Sequence, residues 1–249
     1  MKDYNLERFQ CGLSELKIEL SKEQMEQFLN YYELLVEWNS FMNLTAITEF
    51  DQVITKHFLD SLSIVKVCRI DQIGTVLDVG TGAGFPGIPL KIAFPKLEIV
   101  LLDSLNKRVK FLNEVIERLG LEGIRAVHGR AEEFIRTDGA REGFDLAVSR
   151  AVANLSSLCE YCLPYVKTGG SFISYKSGKI QEELSSAKQA VKVLGGELEN
   201  TVYFQLTGTE DERSFVCIRK KKETPKKYPR KAGMPAKEPI GAVPRKNNG

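Results

Sequence analysis

Between residues 75 and 219, short apolar runs alternate with amphipathic stretches that have helical spacing. One such stretch, 106–119, places its apolar residues on a single helical face. Strands that alternate with helices form a parallel sheet that is covered on both sides, with right-handed crossovers. The five runs are "TVLDVG" (75–80), "LEIVLLD" (97–103), "GIRAVHG" (123–129), "FDLAVS" (144–149) and "GSFISY" (170–175).

Two further strand-like runs follow a predicted helix at 179–194. They are "TVYFQL" (201–206) and "SFVCIRK" (214–220), and a short polar loop joins them. This spacing predicts an antiparallel hairpin at the end of the sheet. The predicted fold class is therefore α/β and Rossmann-like, with a seven-stranded, mostly parallel sheet that ends in an antiparallel hairpin.

The remaining chain divides by composition into two further regions. Residues 1–70 are predicted to be a helical N-terminal extension, with a capping box at Ser21 and Gln24 and a loop at 43–48. Residues 71–220 would form the sheet domain. Residues 221–249 are rich in Lys and Pro, and the prolines exclude a regular helix or central strand, so we expect an extended tail.

Charge is distributed unevenly along the chain, although the net charge is only +2. From Arg219 to Gly249 there are 11 basic and 2 acidic residues, so the rest of the chain is net acidic. Such a basic block is typical of an arm that binds a polyanion, and a solubilising tail is the alternative. No apolar run approaches the ~20 residues that span a bilayer, and the first residues are too polar for a signal peptide. We expect a cytoplasmic protein without a membrane segment.

The five cysteines are odd in number and scattered, which argues against a disulfide framework. Cys159 and Cys162 form a CxxC, but a zinc site needs a second pair of ligands, and the chain holds only two histidines. The spacing also suits two neighbours on one helical face, so we expect structural thiols and no metal.

The turn after the first strand, within "VLDVGTGAGFPGIPL" (76–90), is typical of a ligand-binding loop. A phosphate-binding P-loop is excluded because Ile88 and Pro89 stand where Lys and Ser/Thr are required. A dinucleotide fingerprint is disfavoured because Phe85 replaces the third small residue.

S-adenosylmethionine satisfies the remaining pattern, because it is cationic and has no phosphate. Gly80, Gly82 and Gly84 would let the backbone approach the ligand closely. Asp78 ends the first strand and would face the cationic groups. Asp103 ends the second strand and would accept hydrogen bonds from the ribose hydroxyls, at the sheet edge where open α/β sheets bind ligands.

Two more segments are predicted to reach the same edge. Ala131 and Glu132 follow the third strand and could meet an adenine ring, although acidic residues also favour a helix N-terminus. Arg150 follows the fourth strand and would point into the cleft, with a surface salt bridge as the alternative.

The residues after the fourth strand also limit the methyl acceptor. Ser149-Arg150-Ala151-Val152 differs from the Asp/Asn-Pro-Pro-aromatic motif of exocyclic-amine methylation, and Cys162 lacks the setting of a pyrimidine C5 nucleophile. A guanine N7 needs neither device, because its lone pair is free and no proton must be removed. We assign no catalytic acid or base.

Several segments together resemble the bacterial small-subunit ribosomal RNA guanine-N7 methyltransferases, once called glucose-inhibited division protein B. The resemblance runs from about residue 40 to 240. The matching segments are "NLTAI" (43–47), "HFLDSL" (57–62), "LDVGTGAGFPGIPL" (77–90), "GRAEE" (129–133), "SRAVA" (149–153) and "KKYPRKAGMPAKEPI" (226–240).

The resemblance implies a Rossmann-like class I methyltransferase that transfers a methyl group to N7 of a guanine in the 530 loop of 16S rRNA. It implies 16S rRNA or a small-subunit particle as partner, and we expect a monomer. The cofactor contacts that it implies are Gly80, Phe85, Ala131, Glu132 and Arg150. A small-molecule methyltransferase with the N-terminal helices as a lid, and a non-enzymatic RNA-binding module, are the alternatives.

The resemblance also suggests residues for the RNA. His57 could line the guanine pocket beside Asn43, but His57 and Asp60 could equally be a polar pair that fastens the helices to the sheet. Lys176, expected just past the fifth strand, could touch a phosphate or simply be solvated. In the tail, Lys227, Tyr228 and Arg230 would clamp the RNA.

Overall fold

A seven-stranded sheet in the order β3-β2-β1-β4-β5-β7-β6 organises the computed structural model, which describes residues 4–150 and 152–241. The first five strands are parallel, and β7 pairs antiparallel with both β5 and β6. The predicted fold class is confirmed. The strands are β1 Thr75–Val79, β2 Glu98–Asp103, β3 Ile124–His128, β4 Phe144–Arg150, β5 Val166–Ser177, β6 Gly196–Gln205 and β7 Glu212–Lys220.

The N-terminal region is helical, as predicted. Its second helix begins with the predicted capping box, in which Ser21 and Gln24 exchange hydrogen bonds. After the loop at 43–48, a continuous helical segment contains one π-helical turn, Ile54–Leu59, followed by a 3₁₀ turn, Ser63–Lys66. The α-helices of this region are α1 Glu7–Leu16, α2 Lys22–Met42, α3 Phe50–Val53 and α4 Asp60–Leu62.

Helices cover both faces of the sheet and enclose two hydrophobic cores. One core joins the N-terminal helices, α5 and α6 to one face, where Phe28 and Phe58 pack in the same cluster as Val76. The second core lies under α8 and α9 on the other face. The helices after β1 are α5 Gly87–Ala93, α6 Asn106–Arg118, α7 Ala131–Phe134, α8 Leu155–Cys162, α9 Gln181–Val193 and α10 Met234–Lys237.

The strand boundaries differ from the sequence prediction most at β5 and β6. β5 and β6 are longer than the apolar runs at 170–175 and 201–206, because their extra residues are mostly polar and exposed and therefore carry no apolar alternation. Lys176 consequently lies within β5 and not beyond it.

The tail is more structured than the prolines suggested. Residues 224–241, here called the C-terminal strap, run across α8 and include the single helical turn α10. Pro235 is compatible with α10 because it occupies the first turn, where no intrahelical donor is needed. The predicted tail residues beyond 241 lie outside the described residues. Across 4–150 and 152–241, no helix combines the length and apolarity needed to cross a bilayer.

Candidate active site

The carboxyl ends of β1, β2 and β4 bring the predicted acids and Arg150 to one edge of the sheet. Asp78 pairs in register with Leu101 of β2 and Val148 of β4, and Asp103 ends β2. The glycine loop, residues 80–87, follows β1 directly. This is the edge at which open parallel sheets bind ligands.

Asp78 holds the glycine loop by hydrogen bonds. Its Oδ2 accepts hydrogen bonds from Thr81 Oγ1 at 2.6 Å and from the Gly87 amide at 2.9 Å. Its Oδ1 is buried and has no hydrogen-bond partner in the described part of the chain. Burial raises the pKa of Asp78 to about 6, although both hydrogen bonds and Arg150 act in the opposite direction.

The loop glycines are required for different reasons. Gly80 has a φ of +71°, and a Cβ there would lie 2.6 Å from Val152. Gly82 has a φ of +63°, but among the described residues a Cβ there would meet no atom within 4 Å. Gly84, with a φ of +97°, is crowded by Ile88. Open space therefore lies beside Gly82, where a ligand can approach the backbone.

Asp103 links the end of β2 to this loop. It accepts hydrogen bonds from the amides of Gly82 and Leu105, both at 2.9 Å, and an ion pair joins it to Arg108 at 3.3 Å. Two apolar side chains near these residues stay accessible, Leu105 at 43% and Val152 at 41% exposure. A partly apolar ligand would cover them.

Ala131 and Glu132 open α7, and each is held by a distant segment. The Tyr165 hydroxyl donates to the Ala131 carbonyl. The amide of Gly233, in the C-terminal strap, donates to Glu132 Oε1 at 2.7 Å. Glu132 is thus buried and oriented by Gly233, a contact that the sequence did not predict.

Arg150 is engaged with the N-terminal helices, and its salt bridge is to the buried Asp60 rather than at the surface. Its guanidinium donates to Asp60 Oδ2 at 2.8 Å and to the Lys56 carbonyl at 3.1 Å. Arg213 donates to the other oxygen of Asp60 at 3.2 Å. Asp60, which the sequence suggested as part of a fastening pair, joins the helices to β4 and β7.

The Phe85 ring lies against Arg150 and His57. The Arg150 guanidinium lies 5.0 Å from the centroid of the Phe85 ring, and the His57 ring stacks on it at 4.5 Å. Burial first, and Arg150 second, lower the pKa of His57 to about 3, so His57 is neutral at physiological pH. The π-helical turn exposes the Lys56 carbonyl to both Arg150 and His57.

A groove of about 580 Å³ adjoins Arg150. Asn43 is not among its lining residues; it caps α2 with a φ of +50°. Lys176 lines the groove, but its ammonium is engaged by Glu183 at 2.6 Å and by the Ala153 carbonyl at 2.8 Å. The lining residues are Ile47, Lys56, His57, Asp60, Arg150, Tyr175, Lys176, Ser177, Asp211 and Arg213.

The three tail residues expected to clamp RNA have different environments. Arg230 makes a bidentate ion pair with Glu160 of α8, at 2.7 Å for the shortest contact, and Glu160 is 0% exposed. Tyr228 packs against the second core. Lys227 is exposed and lies 5.3 Å from the centroid of the Tyr228 ring. Of the three, Lys227 presents a cation to solvent.

Cys159 and Cys162 are buried in α8, where desolvation raises the pKa of both thiols. Within residues 4–150 and 152–241, no group of three or more His, Cys, Asp and Glu residues has the arrangement of a metal site. Both side chains are 0% exposed in the second hydrophobic core, so the CxxC contributes packing.

Comparisons with known proteins agree with this geometry. A family model described as GidB, rRNA small subunit methyltransferase G, matches residues 24–215. The ribosomal RNA small subunit methyltransferase G of Lachnoclostridium phytofermentans is 62% identical over 229 residues, or 92% of this chain and 95% of the relative. The protein of the same name from Exiguobacterium sibiricum is 52% identical over 237 residues, covering 95% and 100%.

Solved structures are similar in fold. TrmN from Thermus thermophilus superposes with a TM-score of 0.50 at 16% identity, covering 67% of this chain and 53% of TrmN. P. horikoshii TYW2, in complex with MeSAdo, gives 0.50 at 16% identity, covering 66% and 62%.

Proposed function

Because the chain belongs to the GidB family, rRNA small subunit methyltransferase G, we propose that it uses S-adenosylmethionine to methylate N7 of a guanine in the 530 loop of 16S rRNA. The observation that carries this proposal is the open, glycine-lined sheet edge between Asp78 and Asp103. We further propose that the enzyme acts as a monomer in the cytoplasm, on 16S rRNA or on a small-subunit particle. Size-exclusion chromatography with light scattering tests the monomer.

The residues at the edge fit this cofactor. The space beside Gly82 admits a ligand against bare backbone, and Oδ1 of Asp78, which has no partner among the described residues, keeps negative potential beneath the loop. Asp103 would hold the ribose, while Leu105 and Val152 would be covered by apolar parts of the ligand. Phe85, Ala131 and Glu132 would complete the site. When bound, the cofactor supplies an electrophilic methyl group on a sulfonium.

This chain's part in the reaction is then mainly one of positioning. The N7 lone pair of guanine is free, so methyl transfer needs no base to remove a proton. In agreement, His57 is neutral, half-buried and stacked on Phe85, where it supports the wall that Phe85 and Arg150 form between the cofactor edge and the groove. Holding the nitrogen in line with the methyl group would provide most of the rate.

The groove beside Arg150 is our proposed place for the target guanosine. Its volume of about 580 Å³ suits a nucleotide, and Lys56 and Arg213 provide cations beside the acids Asp60 and Asp211. His57 and Lys176 line it, so both remain candidates for the substrate site. The base would have to leave its stack, as sequence-specific readers of RNA usually require.

Exposed cations of the tail would then hold the flanking RNA. Lys226, Lys227 and Lys231 are all exposed on the C-terminal strap. Asn43, exposed at the end of α2, is a further candidate contact, and Tyr228 would act through Lys227, which it supports.

Mass mapping of 16S rRNA tests the proposal. RNA from cells that lack the gene should carry an unmodified guanine in the 530 loop, and incubation with purified protein and S-adenosylmethionine should add one methyl group at N7. An identical methylation map with and without the gene would remove the proposal.

A further inference from the structure

The C-terminal strap is attached to the body by contacts that an RNA-binding arm does not need. Glu160 lies fully buried on α8, and a buried carboxylate is tolerated only when it is paired and hydrogen-bonded. Arg230 provides both through its backbone amide and its guanidinium. Arg230 is therefore part of the folded body.

Beyond the contact between Arg230 and Glu160, the strap continues to the cofactor edge. Ser157 of α8 donates to the Pro235 carbonyl at 2.7 Å, which holds the helical turn α10 in place. Gly233, the residue before α10, has a φ of +82° and directs its amide at Glu132 Oε1, 2.7 Å away. The strap thus fixes the orientation of the Glu132 carboxylate.

We infer that the strap is a positioning element of the cofactor site, and that Arg230 and Gly233 are positioning residues which hold Glu132 ready for the ligand. This inference rests on the proposed function, in which Glu132 contacts the adenine end of S-adenosylmethionine. Glu is a flexible side chain, and ordering it in advance spares the ligand that cost. The Tyr165 hydroxyl does the same for the neighbouring Ala131 carbonyl.

Thermodynamic linkage makes the inference testable without any mutation. If the strap favours cofactor binding by holding Glu132, then cofactor binding must stabilise the strap by the same free energy. A strap that serves only as an RNA arm, or only as a general fastening of α8, has no such coupling.

The first experiment is hydrogen exchange of the full chain with and without saturating S-adenosylhomocysteine. We expect slower exchange in peptides covering 80–87 and also in peptides covering 230–238. Slower exchange at 80–87 with no change at 230–238 would overturn the inference and leave the proposed function intact. No protection in either segment would show that the cofactor assignment itself fails, and the inference with it.

The second experiment uses Arg230→Met, with Arg230→Lys as the conservative variant and Arg69→Met as the control. Arg69 pairs with Asp71 on an exposed surface away from the site. Well below the unfolding midpoint, Arg230→Met should bind S-adenosylhomocysteine about tenfold more weakly and raise the KM for S-adenosylmethionine, with kcat nearly retained. Arg230→Lys should recover part of the affinity, and Arg69→Met should match the parent.

A folded Arg230→Met protein with parental cofactor affinity would contradict the inference. If that variant does not fold, the exchange experiment on the parent chain decides.

Discussion

Arg150 and Phe85 are in contact through a guanidinium that lies 5.0 Å from the centroid of the aromatic ring. The contact joins the end of β4 to the glycine loop after β1, and Asp60 fixes its geometry by accepting a hydrogen bond from Arg150. The wall between the proposed cofactor and guanosine sites therefore depends on a residue of the N-terminal helices.

Asp60→Asn should destabilise the protein strongly, because the substitution leaves Arg150 and Arg213 without their shared buried counter-ion. Loss of one partner of a buried ion pair typically costs about 3–5 kcal/mol. Urea unfolding measures this change, with Asp71→Asn as the matched control at the exposed pair with Arg69, where less than about 1 kcal/mol is expected. A loss below about 1 kcal/mol for Asp60→Asn would show that the two arginines find other partners.

Gly82→Ala should weaken cofactor binding beyond what its loss of stability explains. A left-handed φ costs a non-glycine residue about 1–2 kcal/mol, and the new methyl group would occupy the space beside the loop. Gly120→Ala is the matched control, because its φ is +60° and its Cβ would also meet no atom within 4 Å in the part of the chain that the structure describes. Both variants should lose similar stability, while calorimetry should show at least tenfold weaker S-adenosylhomocysteine binding for Gly82→Ala. Equal affinities would place the ligand elsewhere.

Asp78 should make stability fall as pH rises from about 4 to about 6. The folded pKa of about 6 exceeds the ordinary carboxyl value of 3.8, so the native state holds the proton more tightly across this window. The stability of the parent minus that of Asp78→Asn should therefore decline by about 1.4 kcal/mol per pH unit within the window and be constant above it. Urea titrations at several pH values measure this difference, and a flat difference would mean that the carboxyl ionises normally.

His57 should have the opposite effect. Its folded pKa of about 3 is below the ordinary imidazole value of 6.5, so the unfolded state binds the proton more tightly and stability is lost as pH falls through this range. The stability of the parent minus that of His57→Gln should rise with pH between about 4 and 6. The same titrations measure it; a decline would indicate that the imidazole is protonated in the folded protein.

Replacing Lys226, Lys227 and Lys231 by Gln should reduce the salt dependence of RNA binding. Each phosphate contact contributes roughly 0.7–0.9 to the slope of log K against log salt, so the slope should fall by about 2 to 3. The control carries the same change at three exposed lysines on other surfaces, Lys17, Lys22 and Lys96. An unchanged slope in the tail variant would show that the tail does not hold the RNA.

The parts of the fold and site that sequence could predict are those encoded locally. Apolar runs gave the strands, and the ends of β1 and β2 placed Asp78 and Asp103 at one edge because parallel strands share that edge. The capping box at Ser21 was also visible in the sequence, since it depends on residues three positions apart.

The parts that could not be predicted are pairings between distant residues. Glu160 and Arg230 are 70 positions apart, and each alone has an ordinary explanation, as a charge on a helix or as an RNA contact. Glu132 and Gly233 are 101 positions apart, and the donor is a backbone amide that leaves no mark on side-chain patterns. The π-helical turn could not be predicted for another reason: its apolar spacing also fits an α-helix.

Because of the π-helical turn at Ile54–Leu59, the local backbone geometry depends on the number of residues in this segment. Removing one residue would allow the turn to close as an α-helix; the flanking segments would keep nearly their register, but the residues inside the turn, Lys56 among them, would be repositioned. The Lys56 carbonyl would then no longer face Arg150. During evolution this stretch should therefore resist insertions and deletions, even where its exposed side chains are free to drift.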